Sequence, residues 1–78
     1  MPGLTEREKN ILFHLVRGLE NLKISKELGI SIHTTKAHLE SIYKKLGVIN
    51  RVQAAIMAVY AGFISIEDAI NNKKISQP

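Results

Sequence analysis

The residues that could do chemistry in this sequence are its positive charges, and they are collected in one segment. The chain of 78 residues has 11 Lys and Arg against 7 Asp and Glu, a formal net charge of +4. Residues 1–20 and 52–78 are each neutral in sum, so the whole excess belongs to residues 21–51. The charged residues of that segment are Lys23, Lys26, Lys36, Lys44, Lys45 and Arg51 with Glu27 and Glu40. Such clustering favours an anionic partner, although chance segregation in a small protein gives the same pattern.

Side chains for catalysis or metal binding do not converge in the sequence. His33 and His38 stand five residues apart and would face different sides of a helix, and His14 is remote from both. Ser31 lacks an Asp–His pair, and helix capping explains it better than a nucleophilic role. The chain has no cysteine, hence no thiolate-ligated metal, and it has no glycine-rich phosphate loop. We therefore expect no enzyme activity, no cofactor and no metal.

Length and composition favour one small globular domain. With 45% hydrophobic and 23% charged residues the composition is ordinary for a folded protein. A core of this size leaves little room for an enclosed substrate pocket. No apolar run approaches the ~20 residues of a membrane helix, and the start of the chain lacks the features of a signal peptide. We expect a cytoplasmic protein that does not contact the membrane.

Apolar residues at steps of three and four, with polar caps before them and glycines after them, predict an all-α chain. A capping box of Thr5 and Glu8 opens the first helix, which Gly18 ends. The further predicted helices are 22–28 capped by Asn21, 32–46 capped by Ser31, 51–61 capped by Asn50 with Gln53, and a short turn from Ser65 to Ile70. We expect residues 1–64 to form a compact four-helix domain and residues 65–78 to form a short helical turn and a frayed tail.

The second and third helices form a distinctive unit. A short helix, Gly29, the apolar Ile30 and a longer helix with one polar face are typical of a helix-turn-helix. The apolar positions of the longer helix are Ile32, Thr35, Leu39, Ile42, Tyr43 and Leu46, and the opposite face carries His33, Lys36, Ala37, Glu40 and Lys44. In such a unit the first helix braces the second, whose polar face can enter the major groove of DNA.

The same residues resemble a known family. The matching positions are Leu4-Thr5-x-Arg7-Glu8, Ile11-Leu12, Gly18-Leu19-x-Asn21, Ile24, Leu28-Gly29-Ile30-Ser31, Thr34-x-Lys36-x-His38, and Lys45-Leu46-Gly47-Val48 with Arg51 and Ala54. This pattern, over residues 4–64, resembles the LuxR-type helix-turn-helix domain of bacterial transcription regulators. That domain occurs in response regulators of two-component systems, where a receiver or sensor domain precedes it in a longer chain, and in small free-standing regulators such as GerE.

The resemblance implies a four-helix domain that binds double-stranded DNA as a homodimer, with the third helix, about 32–46, in the major groove. By position it assigns base contacts to Lys36, Ala37 and Glu40. It assigns phosphate contacts to Asn21, Lys23, Thr34, His38, Lys44 and Arg51. For Glu40 two interpretations stay open, since it can accept a hydrogen bond from cytosine N4 or pair with Lys36 one turn earlier.

Four residues depart from the family pattern. Thr35 stands where valine is usual, so it should bury a hydroxyl that bonds back to the helix backbone. Leu22 replaces a common lysine, which puts one phosphate contact in doubt. His14 replaces a usual leucine, and Glu40 stands where a neutral or basic side chain is common.

The fourth helix is apolar on more than one side. Between residues 52 and 61 only Gln53 is polar, whereas a single core covers one stripe. The resemblance places Ala54 and Ala58 inward. The stripe left for a second subunit is Val52, Ala55, Ile56 and Val59.

Two alternatives to this assignment stay open. Residues 63–70 could cover the second stripe, and the chain could be a protein-interaction module that docks through the fourth helix. The salt dependence of DNA binding would separate DNA from protein as the partner.

Overall fold

The computed structural model describes residues 3–70, which form five helices and no strand. The helices are α1 (Glu6–Val16), α2 (Asn21–Leu28), α3 (Ile32–Leu46), α4 (Arg51–Tyr60) and α5 (Ile66–Ile70). Helix α1 packs against α3 and α4, and α2 packs against α3. The predicted all-α fold with four main helices and a short fifth is therefore confirmed.

Polar caps begin most of the helices, as the sequence predicts. Thr5 and Glu8 form a reciprocal capping box at α1, with hydrogen bonds of 3.0 and 2.9 Å. Ser31 accepts from the Thr34 N–H at 3.0 Å to begin α3, and Asn50 accepts from the Gln53 N–H at 2.8 Å to begin α4. In a full capping box the side chain of Gln53 would accept from the Asn50 N–H. It accepts from the Ile49 N–H instead, so this motif is not a full capping box.

The predicted cap of α2 is wrong. The residue at the N-cap position is Glu20, whose side chain makes no capping hydrogen bond, and Asn21 is the first residue of the helix. The amide oxygen of Asn21 instead accepts from the Arg51 guanidinium, which is 30 residues away in the chain. A contact so distant in sequence overrides the local capping preference.

Helix α4 ends at Tyr60, with Ala61, the predicted last residue, as its C-cap.

The core lies where α1, α2, α3 and α4 meet. Its largest side chains with almost no exposure are Ile11, Leu12, Ile24 and Ile42. On α3 the predicted apolar face is buried at Thr35, Leu39, Ile42 and Leu46, while Ile32 and Tyr43 are half-buried. On α4, Ala54 and Ala58 are fully buried, as expected, because their small side chains allow α4 to approach α1 closely.

A sharp turn joins α2 to α3. Gly29 adopts φ +68° in the left-handed region, and the Ile30 N–H bonds to the Ser25 carbonyl at 3.0 Å. Glycine adopts this conformation without the steric cost of a Cβ. The turn sends the chain directly into the Ser31 cap, so the start of α3 is held against α2.

Two expectations concern the ends of the chain. The boundary between residues 64 and 65 stays a prediction, and the frayed tail at 71–78 lies outside the described residues. Within residues 3–70 no helix has the length and apolarity required to span a bilayer.

Candidate nucleic-acid interface

One face of α3 is turned to solvent and carries charge. Lys36, Ala37, Glu40 and Lys44 are all exposed, while the opposite face is buried. Lys36, Glu40 and Lys44 follow one another at steps of four residues and so form one stripe, about 12 Å long at 1.5 Å per residue. Among the described residues, neither lysine pairs with Glu40, since the ion pairs found lie elsewhere. The structure therefore gives no support to the internal ion pair, and the Glu40 carboxylate is open to a partner.

The N-terminal turn of α3 presents hydroxyl and amide groups beside this stripe. Thr34 is exposed, and its Oγ1 accepts a hydrogen bond of 3.0 Å from the Ser31 hydroxyl. Ser31 in turn caps the Thr34 N–H, so the two side chains hold each other in place. His38, one turn later, is half-buried. A helix N-terminus with an exposed hydroxyl is favourable for a phosphate oxygen.

Arg51 and Asn21 lie together, although they are far apart in sequence. Arg51 Nη1 donates to the Leu19 carbonyl at 3.0 Å, and Nη2 donates to Asn21 Oδ1. The guanidinium thus ties the N-terminus of α4 to the connection between α1 and α2. Its remaining N–H donors and the Asn21 amide nitrogen can still bind an anion. Lys23, on the same short helix as Asn21, is exposed.

Not every positive charge of residues 21–51 is free for a partner. Lys45 Nζ donates to Glu8 Oε1 at 2.8 Å and to the Gly3 carbonyl at 2.7 Å, and Ser41 donates to Glu8 Oε2 at 2.8 Å. Burial by itself would raise the pKa of Glu8, but the hydrogen bonds from Lys45, the Thr5 N–H and Ser41, with the charge of Lys45, lower this pKa to about 2. Lys45 therefore serves to attach α3 to α1. No pattern in the sequence predicts this pair, whose members are 37 residues apart.

A pair of hydroxyls is buried between α2 and α3. Thr35 is fully buried, and its Oγ1 donates to the Ser31 carbonyl at 3.2 Å, as expected for a threonine in this position. It also lies 2.7 Å from the Ser25 hydroxyl, which bonds to the Asn21 carbonyl at 2.8 Å. The role of Ser25 was missed because the sequence does not show which residue of α2 faces Thr35.

The outer face of α4 is only partly covered. Val52 and Ile56 keep 66% and 64% of their surface exposed, whereas Ala55 and Val59 are half-buried. Ala69 of α5 lines a shallow groove together with Ala55 and Val59. The short fifth helix therefore lies beside the predicted dimer stripe and leaves Val52 and Ile56 uncovered. Tyr60, which lines a groove together with Ile56, is more exposed still, at 85%, and extends this face beyond the predicted residues. Ile49, which precedes α4, is 80% exposed.

His14, one of the four departures from the family pattern, lies on α1 and is half-buried. Its ring is 5.8 Å from that of Phe13. Burial lowers the pKa of His14, Glu27 opposes this effect and Arg17 adds to it. Within residues 3–70 no three metal-ligating side chains are close enough to hold an ion.

Comparison with known proteins identifies the family. The family model described as bacterial regulatory proteins of the luxR family matches residues 2–58, a range that includes the helix-turn-helix and most of α4. The chain belongs to the LuxR family. The resemblance deduced from the sequence motifs is thereby confirmed, and this family is one of DNA-binding transcription regulators, which are generally not enzymes.

Curated relatives support the same assignment. The transcriptional regulatory protein YdfI of Bacillus subtilis is 38% identical over 65 residues, covering 83% of this chain and 30% of its own. The nitrate/nitrite response regulator protein NarP of Escherichia coli is 44% identical over 54 residues, covering 69% and 25%. The transcriptional regulatory protein LiaR of Bacillus subtilis is 46% identical over 56 residues, covering 72% and 26%. The LuxR-type domain thus spans between a quarter and a third of these relatives.

Proposed function

We propose that this LuxR-family domain binds double-stranded DNA sequence-specifically, with α3 in the major groove. The observation that carries the proposal is the solvent-facing stripe of α3, in which Lys36, Ala37, Glu40 and Lys44 are exposed while the other face of the helix is buried. An α-helix fits the major groove, where the edges of the base pairs are distinguishable. Helix α3 suits this role because its buried face is packed against the core and its exposed face carries charged side chains.

Base contacts belong to the first half of the stripe. The stem of Lys36 can bring its ammonium to guanine O6 and N7, and Glu40 can accept from cytosine N4. Ala37 lies beside them on the exposed face, and its small side chain permits close approach or contact with a thymine methyl group. Glu40 also disfavours bases that present only acceptors, because two acceptors repel each other.

Phosphate contacts surround this helix. Exposed Lys23 and Lys44 provide ammonium groups, and Thr34 and His38 provide groups near the start of α3. Asn21 and Arg51 have donors left after their mutual hydrogen bond. Each phosphate neutralised by a cation releases counterions, so this set should give binding a steep salt dependence.

The DNA-bound form is proposed to be a homodimer through α4. Val52, Ala55, Ile56 and Val59 form the contact, of which Val52 and Ile56 are exposed in the single chain. Two domains related by a two-fold axis would read two half-sites about one helical turn, ~10 bp, apart.

The relatives suggest a larger context. Each relative is three to four times the length of the matched part, and NarP is a response regulator by name. We propose that this domain is the output part of a regulator in which a receiver or sensor domain controls DNA binding. A bacterial protein that binds chromosomal DNA acts in the cytoplasm.

Substitution of two lysines on the same stripe tests the proposed binding of DNA. Selection from a random DNA pool provides a preferred duplex, and fluorescence anisotropy measures binding to this duplex and its single-base variants. Lys36→Ala should weaken binding by roughly 1–3 kcal/mol and relax the preference at one base pair. Lys44→Ala should weaken all duplexes alike and lower the slope of log K against log salt by about one.

The matched control is Lys9→Ala in α1, whose lysine pairs with Glu6 and lies beside Phe63 and Ile64. It should leave affinity and preference unchanged. Equal effects of all three substitutions would contradict the placement of α3 in the groove.

A second candidate function has one observation in its favour, the exposed apolar face of α4. A helical interaction module could dock on a partner protein through this face. Titration of the wild-type chain with bulk DNA at several salt concentrations separates the two functions. Loss of binding with rising salt supports DNA as partner, and no binding even at low salt supports the interaction module.

A further inference from the structure

We infer that the close contact between the Ser25 and Thr35 hydroxyls sets the position of α3 on α2 and, through it, the discrimination between DNA sequences. Only the part that concerns discrimination between DNA sequences rests on the proposed function. Thr35 has no exposed surface and Ser25 has 4%, so neither side chain can touch DNA. Both act as positioning residues.

The pair is a complete hydrogen-bonded unit. Thr35 can donate to Ser25 while Ser25 donates to the Asn21 carbonyl at 2.8 Å. Alternatively, Ser25 donates to Thr35 while Thr35 donates to the Ser31 carbonyl at 3.2 Å. In either arrangement both hydroxyls have partners, so the buried pair leaves no polar group unsatisfied.

The hydrogen bond brings the two side chains closer together than a methyl group in place of either hydroxyl would allow. The two oxygens are 2.7 Å apart, whereas a methyl carbon approaches an oxygen to about 3.3–3.6 Å. A methyl group in place of the Thr35 hydroxyl would therefore have to move away from Ser25 Oγ by roughly 0.6–0.9 Å. Because Gly29 and Ser31 confine the connection between the helices, this strain would fall on the first turns of α3.

The displaced part of α3 is the part proposed to read bases. Lys36 follows Thr35 directly, and Ala37 follows Lys36. Hydrogen bonds to base edges depend steeply on distance and angle, whereas contacts to phosphate through flexible lysines tolerate small shifts. A shift of this size should therefore reduce sequence preference more than overall affinity.

Three variants at these two positions distinguish an effect of the helix spacing on DNA preference from an effect of lower stability. Thr35→Ser keeps the hydroxyl and loses a buried methyl group, so it should unfold at lower urea and keep the wild-type preference. Thr35→Val keeps the shape of the side chain and should lower the preference for the selected duplex over a scrambled duplex about tenfold. Ser25→Ala combined with Thr35→Val makes room for the added methyl group and should restore the preference to within about threefold of wild type.

Ser65→Ala is the control, since it removes a hydroxyl that caps α5 without touching α2 or α3. It should leave the preference unchanged. The inference would be overturned if Thr35→Val kept the wild-type preference for the selected duplex. It would also be overturned if Thr35→Ser lost this preference in proportion to its lower stability. Failure of the double substitution to recover would overturn the explanation by spacing.

Nuclear Overhauser distances between α2 and α3 in the DNA-free domain provide a second measurement. The spacing of the two helices near residues 25 and 35 should be that of the wild type in Thr35→Ser and in the double variant, and should increase in Thr35→Val. An unchanged spacing in all variants would overturn the inference whether or not DNA binds. Absence of DNA binding by the wild-type chain would instead overturn the proposed function.

Discussion

Glu8 offers the most direct test of how α3 is held, and the substitution to examine is Glu8→Gln. The side chain of Glu8 is 5% exposed, and its carboxylate accepts hydrogen bonds from Lys45, Ser41 and the Thr5 N–H. Glutamine preserves the size and one acceptor oxygen but removes the negative charge. Lys45 then remains near the core boundary without its counter-charge, a situation that is strongly destabilising.

The magnitude follows from the pKa of Glu8, which is lowered from 4.5 to about 2. Each pKa unit is worth about 1.4 kcal/mol, so the folded state gains about 3 kcal/mol from the ionised carboxylate. Since the folded pKa is the lower one, the unfolded chain binds more protons between these two values. The stabilisation is therefore fully present above about pH 4.5 and is lost as the pH falls toward 2.

Urea unfolding followed by circular dichroism, from pH 2 to pH 7, measures this contribution. At pH 7 the Glu8→Gln variant should be about 3 kcal/mol less stable than the wild type, and the two should converge near pH 2. Glu6→Gln is the control, because Glu6 is exposed and makes only a surface pair with Lys9 at 3.4 Å. Such pairs contribute little, so this control should stay close to wild type over the whole range.

Two results would refute the reasoning. The first is a Glu8→Gln variant within about 1 kcal/mol of the wild type at pH 7, which is less than the loss expected for a buried pair. The second is a variant that retains the full wild-type increase in stability between pH 2 and pH 4.5, since this would assign the pH dependence to other carboxylates.

Three further substitutions test the dimer face and the helix-turn-helix. Ile56→Glu places a charge on the uncovered face of α4 and should abolish the homodimer while the circular dichroism of the folded domain persists; sedimentation that still shows a dimer would place the interface elsewhere. Gly29→Ala should lower stability by about 1 kcal/mol through its φ of +68° alone, because an added Cβ meets no atom within 4 Å; a thermal scan with no decrease in Tm would contradict this. Ser31→Ala removes the cap of α3 and should cost about 1 kcal/mol in urea unfolding, an expectation that an unchanged midpoint would contradict.

Local features of this chain were predictable from its sequence. The capping box of Thr5 and Glu8 and the cap at Ser31 depend on residues within one turn, so their hydrogen bonds could be anticipated. The inward placement of Ala54 and Ala58 came from the family resemblance, and burial confirms it. The boundary of α2 was the exception, because a residue from α4 competes for Asn21.

The candidate site was predictable only as a set of exposed positions. The helical period together with the family motif indicates that Lys36, Ala37 and Glu40 share the outer face of α3, and they are indeed exposed. Which charges remain free could not be read from the sequence. Lys45 and Lys44 are neighbours in the chain, yet only Lys45 turns inward to Glu8.

By itself the sequence determined the helices, the caps of α1, α3 and α4 and the family, because these depend on neighbouring residues and on a pattern of fixed spacings. It also located the excess positive charge in residues 21–51. Only the tertiary structure decided that Lys45 pairs with the buried Glu8, that Arg51 holds Asn21, and that Ser25 faces Thr35. Each of these contacts joins residues from different helices, and the distances between side chains on different helices are fixed only when the helices pack around their common core.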